Sequence, residues 1–157
     1  MAGVRRVEDL DCWKLATELA DLYDEMTVSG PASHDADLRK QLRKSGTKAP
    51  AQIAEGFGRY LPGDFANFLR MARASLCESQ THLDRGQRRR YWPQEQVDRA
   101  RKLGDRAIGA TTNLMLDRLQ AAEARKRNQS ASLRKRPLSP RTTSSPDKEA
   151  GGSRADD

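Results

Sequence analysis

The residues able to carry out bond chemistry are few and scattered. His34 and His82 are the only histidines, and no acid–base pair is evident from their spacing. Cys12 and Cys77 lie far apart, and neither has a second cysteine or a histidine at ligand spacing, so zinc is not expected. Serines are plentiful, but none sits in a nucleophile elbow. Gly56 and Gly58 straddle Phe57 without the preceding strand or the spacing of a nucleotide loop. No catalytic, metal-binding or cofactor-binding constellation stands out. The chain is therefore expected not to be an enzyme and to need no cofactor.

What remains is charge. Arg39, Lys40, Arg43, Lys44 and Lys48 recur at intervals that place Lys40, Lys44 and Lys48 in a slowly drifting stripe on a helix. Such a stripe can track phosphates; its plainer reading is a solvated face. Arg88, Arg89 and Arg90 follow Arg85 near an expected helix end, where cations also favour the helix dipole. Tyr91 and Trp92 beside them can stack on bases, although such residues more often plug the end of a bundle.

The elements that would position these bases are helices. Charged residues make up 32% and aromatic residues 5% of the 157 residues, a profile of apolar stripes on otherwise solvated helices. The first stripe runs Leu10, Trp13, Ala16, Leu19 or Ala20, Tyr23 and Met26, with Asp9 as a candidate N-cap and Trp13 as a core anchor. Ser29-Gly30-Pro31 ends it, and a loop through Ala32, Ser33 and His34 follows. The second stripe is Leu38, Leu42, Ser45, Ala49, Ile53 and Phe57, capped by Asp35 or Ser33. The third is Phe65, Phe68, Leu69, Ala72, Leu76, Ser79 and Leu83, and the fourth runs from Val97 to Leu119. Short connections give an all-α, antiparallel up-down-up-down four-helix bundle over residues 1–122, with helices at about 9–28, 35–60, 62–90 and 94–122.

After Ala122 the chain carries nine bases and five acids among Ser, Thr, Pro and Gly, four of the seven net positive charges. Residues 123–157 are expected to be a disordered basic tail serving as a nucleic-acid arm, a partner-binding segment or a solubilising extension. Neither a signal peptide nor a membrane span is expected, and the thiols suit a reducing cytoplasm.

The joint between the second and third helices, Ala49 to Tyr60, concentrates the backbone-special residues. Pro50 removes one helical hydrogen bond and presses on the carbonyl of Gly46, so a kink rather than a break is expected. Gly56 and Gly58 suit close helix approach or a helix end. Glu55 and Arg59 can pair four residues apart, with Arg73 as another partner for the acid. The stripe is thin at Ser45, Gly46 and Thr47.

Two segments carry a family resemblance. Asp9-Leu10-Asp11-Cys12-Trp13-Lys14-Leu15-Ala16 is similar to an opening D-L-x-V-W-K-x-A. Gln41-Leu42-Arg43-Lys44, with Pro50-Ala51-Gln52-Ile53-Ala54-Glu55-Gly56-Phe57-Gly58-Arg59, resembles Q-L-R-R-A … P-x-N-I-A-E-G-F-G-R, and Phe68 to Leu76 resembles F-L-x-I-A-R-G-S-L. These are the motifs of the bundle proteins encoded in intervening sequences of bacterial 23S ribosomal RNA genes, whose superfamily includes accessory variability proteins of diversity-generating retroelements. The resemblance spans roughly residues 8–120. It implies a four-helix bundle, commonly a homopentamer, whose basic surface meets nucleic acid, RNA or DNA, beside a reverse transcriptase or ribosomal RNA. It carries over no catalytic residue. The chain departs from the motifs at Ser45 to Ala49, Gln52, Leu61 and Ser79, so a looser joint is expected, with Gly46→Ala and Ala49→Ile as stabilising changes. The function expected is non-enzymatic, oligomeric nucleic-acid binding; the alternative is a protein-interaction scaffold or reverse-transcriptase accessory subunit without nucleic-acid contact.

Overall fold

A computed structural model describes residues 4–59 and 61–134. A single 3-10 turn, Val7–Asp9, leads into α1 (Asp11–Val28), then a one-turn helix α2 (Pro31–His34), α3 (Ala36–Phe57), α4 (Pro62–Arg88) and α5 (Gln94–Arg134). The four long helices run alternately up and down. α1 packs on α3 and α5, and α4 packs on the same two, so α3 and α5 lie across a diagonal. Leu19, Tyr23, Leu38, Leu42, Ile53, Leu69, Leu76, Leu83 and Val97 are fully buried between them. The helix periodicity read in the sequence is the periodicity of this core.

The boundaries differ in detail from those expected. Asp9 closes the 3-10 turn rather than capping α1; Leu10 takes the cap position and buries its side chain. The expected loop at 32–34 is helical, because Pro31 occupies the first helical position and Ser33 Oγ donates to Gly30 O at 2.7 Å. Asp35 caps α3, accepting from the Leu38 N–H at 2.9 Å. α3 runs without a break through Pro50 and ends at Phe57, short of the expected residue 60; Tyr60 lies outside the described residues.

The largest difference is at the other end. α5 continues to Arg134, twelve residues beyond the expected boundary at 122. Residues 123–132 are exposed, so no core holds them in place. Local preference accounts for the helix: Ala, Arg, Lys, Gln, Glu and Leu make up most of the stretch, an Arg127–Glu123 pair spans one turn at 3.4 Å, and no proline falls between Pro93 and Pro137. Expectations for residues 135–157, including the Ser-Pro sites, fall outside the described residues. Among the described residues no helix is long and apolar enough to cross a membrane.

The stretch read as thin is filled. A Cβ at Gly46 would come within 2.9 Å of Tyr23 Cδ2, so the glycine is the seat of a fully buried ring. Ser45 Oγ donates back to Gln41 O at 2.8 Å. Ser79, the polar gap in the third stripe, donates to Leu76 O at 2.7 Å, which leaves its oxygen to accept the Tyr23 hydroxyl at 3.2 Å. Gly46 is therefore the wrong place to add a methyl. Ala49, also fully buried, offers no open surface for the larger Ile.

Candidate nucleic-acid interface

Cations divide into those the fold uses and those it leaves free. Arg43 belongs to the first group. Its Nε donates to Thr27 Oγ1 at 2.7 Å and pairs with Asp24 at 3.1 Å, stapling α3 to α1. Arg39 donates to Ser33 O at 2.9 Å. Arg85 pairs with Asp37 at 2.9 Å, and Arg89 pairs with Asp35 and lies 3.4 Å from the Tyr91 hydroxyl, which itself donates to Asp35 at 3.2 Å. Arg39, Arg43 and Arg89, three of the expected phosphate contacts, are thus committed to holding helix ends together.

Lys40, Lys44 and Lys48 are exposed on α3, and none makes an ion pair among the described residues. At 100° per residue they face away from Leu38, Leu42, Ala49 and Ile53, and they span roughly 12 Å along the axis. Arg88 and Arg90 are likewise exposed and unpaired at the end of α4, which the Asp35 and Asp37 contacts hold beside the start of α3. Five free cations therefore share one flank and one end of the bundle. Arg90 is also the one non-glycine described with positive φ, at 58°. It occupies the left-handed position of a Schellman turn, with Arg90 N–H donating to Gln87 O at 2.9 Å and Tyr91 N–H to Gly86 O at 3.1 Å.

The neighbouring aromatics are structural. Trp92 is buried, its Nε1 donates to Met26 O at 2.6 Å, and a Cβ at Gly86 would come within 2.1 Å of its ring. Trp92 therefore plugs the bundle end, and Gly86 is what lets it in; sequence reading did not single out Gly86, because its contact is to a residue beyond the helix. Tyr91 meets Trp92 edge-on, with ring centroids 6.3 Å apart. Trp13 is half-buried and packs against the core from α1.

At the joint, Arg59 pairs with Glu55 at 2.7 Å and lies 4.9 Å from the centre of the Phe68 ring. Arg73 does not reach Glu55; it turns to the other side of α4 and donates to Thr112 Oγ1 of α5 at 3.1 Å. The two glycines have different duties. Gly56 brings α3 against α4, since a Cβ there would come within 2.6 Å of Phe68 Cβ, whereas Gly58 caps the helix end with an ordinary φ of −70°. Phe57 packs edge-on against Phe65 at 6.1 Å. Of the thiols, Cys12 is buried, which pushes it up to about 11 and keeps it protonated at neutral pH.

The model of the 23S rRNA-intervening sequence protein family matches residues 8–111. The chain belongs to this family. A solved structure, of a protein of unknown function from the S23 ribosomal protein family of Bacteroides thetaiotaomicron VPI-5482, is 23% identical and superposes with a TM-score of 0.58, covering 69% of this chain and 97% of that one. That likeness is one of fold. No curated protein matches. The family span takes in the α3 lysines and the α4–α5 turn, and it stops at the buried Thr111, so the extension of α5 lies beyond it.

Proposed function

We propose that this member of the 23S rRNA-intervening sequence protein family is a non-catalytic, cytoplasmic protein that binds nucleic acid through the outward face of α3. Lys40, Lys44 and Lys48 would neutralise backbone phosphates, and Arg88 and Arg90 would extend the contact around the end of the bundle. The observation that carries this reading is the division of the cations. The fold ties down Arg39, Arg43, Arg85 and Arg89 yet leaves these five without a partner. Arg90 supports it further, because a position that favours glycine holds an unpaired cation. A homo-oligomer, five-fold by the family resemblance, would repeat the surface and multiply its affinity. A reverse transcriptase is a further partner that the resemblance suggests.

Filter binding of a structured RNA at two salt concentrations tests the reading. Each phosphate contact contributes a slope of about −0.7 to −0.9 in log affinity against log salt. Replacing Lys40, Lys44 and Lys48 by Gln is expected to reduce the slope by about 2–3 and weaken binding at low salt. Binding unchanged in the triple variant would remove α3 from the interface, and no retention of the wild type at low salt would sink the proposal.

A further inference from the structure

α5 outlasts the bundle. Ala122 is level with the start of α4, since a Cβ at Gly63 would lie 3.7 Å from the Ala122 Cβ. Beyond Ala122 the helix runs on to Arg134, roughly 18 Å further at 1.5 Å per residue. Every residue from 123 to 132 is exposed, so this arm is open around its whole circumference. The family span ends at residue 111, well short of the arm.

Its charge is of one sign. Glu123 pairs with Arg127 at 3.4 Å, and between Glu123 and Asp147 the sequence holds seven bases and no acid. Toward α4, Arg125, Lys126 and Gln129 line an open crevice with Leu61, where Asp64 is the one carboxylate besides Glu123. The side chains are also sorted by type. Ala121, Ala124, Arg125, Asn128, Gln129 and Ser132 share one face. Alanine lets a backbone come close there, and Arg, Asn and Gln are the side chains that pair bidentately with guanine and adenine edges. At about 100° per residue, Lys126 and Arg127 fall on the two flanks of that face, where they can meet the phosphates of two strands.

The size of the arm selects its target. An α-helix with its side chains is about 10–12 Å across, and the major groove of B-form DNA is about 12 Å wide. The major groove of A-form RNA is too deep and narrow for side chains to read. We propose that the projecting turns of α5 are a recognition arm that enters the major groove of duplex DNA, with Arg125, Asn128 and Gln129 toward base edges and Lys126 and Arg127 on the phosphates. The Arg127–Glu123 pair is exposed on both sides, a weak surface contact that a phosphate can replace. The proposal goes beyond the α3 reading and does not depend on it, because α3 and α5 lie across the diagonal of the bundle.

Fluorescence anisotropy on a DNA duplex and an RNA duplex of the same sequence tests the arm in the full-length protein. The wild type is expected to bind the DNA about fivefold or more tightly, the worth of one base-edge pairing. Lys126→Gln/Arg127→Gln should reduce the slope of log affinity against log salt on DNA by about 2. Ala124→Pro keeps every basic and amide side chain but breaks the helix where it leaves the bundle, and a helix of the arm's length is marginal on its own. This variant is expected to lose the preference for DNA, with an unchanged melting temperature verifying the bundle. Equal wild-type affinity for the two duplexes, or a preference for RNA, would overturn groove insertion. So would wild-type DNA binding by Ala124→Pro, since charge without the helix would then suffice. The α3 variant Lys40→Gln/Lys44→Gln/Lys48→Gln is expected to weaken binding to both duplexes and to keep the DNA preference. Binding that the arm variants leave untouched and the α3 variant abolishes would overturn the arm and leave the α3 reading standing.

Discussion

A methyl group added at Gly46 would lie 2.9 Å from Tyr23 Cδ2 and 3.6 Å from Ala20 Cα. Two effects compete there. Alanine improves helix propensity by about 1 kcal/mol. Overpacking a closed site costs about 1–3 kcal/mol. The steric effect is expected to win because the ring cannot retreat: it is fully buried, and its hydroxyl is held 3.2 Å from Ser79 Oγ. Burial also pushes the Tyr23 hydroxyl up to about 12, so it stays a neutral donor across the physiological range. Gly46→Ala should therefore lower stability by about 1 kcal/mol in urea denaturation. The loss should shrink in a Tyr23→Leu background, where the ring is gone. A higher midpoint for the single variant would show that the core has room at this point. Gly46 and Ser79 are thus one solution shared by three helices, and from the sequence each looked like a separate gap in its own stripe.

Among the elements, the turn after α4 combines strain with exposed charge. Arg90 sits at φ 58°, where a side chain costs about 1–2 kcal/mol relative to glycine. Arg90→Gly should raise the melting temperature, by about 1 kcal/mol of stability, while weakening RNA binding in the same preparation. A variant that gains stability and keeps full affinity would take Arg90 out of the interface. How much of this was legible beforehand follows from range. The four long helices, the Glu55–Arg59 pair and the Asp35 cap all rest on residues three or four apart, and sequence reading found them. The sorting of arginines into tied and free did not emerge, because Arg85–Asp37 and Arg89–Asp35 join residues 48 and 54 apart. The end of α5 differs from the expected one for the opposite reason: residues 123–132 are exposed, and a core-based pattern is silent about a helix held by local preference alone.

For the whole molecule, one end is where all four long helices are fastened. Trp92 bonds to the end of α1, and Asp35 joins the start of α3 to the end of α4 and the α4–α5 turn. Asp35 is held below its ordinary value of 3.8, first by the Leu38 N–H and then by the Tyr91 hydroxyl and the Arg89 and Arg85 charges, with partial desolvation opposing them. A carboxylate depressed in the folded state adds stability above its unfolded value and loses it as pH falls through the lower folded value. At neutral pH, Asp35→Ala should cost about 1 kcal/mol through the lost cap alone. The gap in melting temperature between wild type and variant should stay constant down to about pH 5 and close as pH drops below 3.8. Net charge rises in both proteins on acidification and destabilises both through self-repulsion, so the difference between them is the quantity that isolates Asp35. A gap that persists undiminished below that range would mean that the cap and its ionic partners contribute nothing as a charged group, and that the four-helix junction is held by Trp92 and its packing instead.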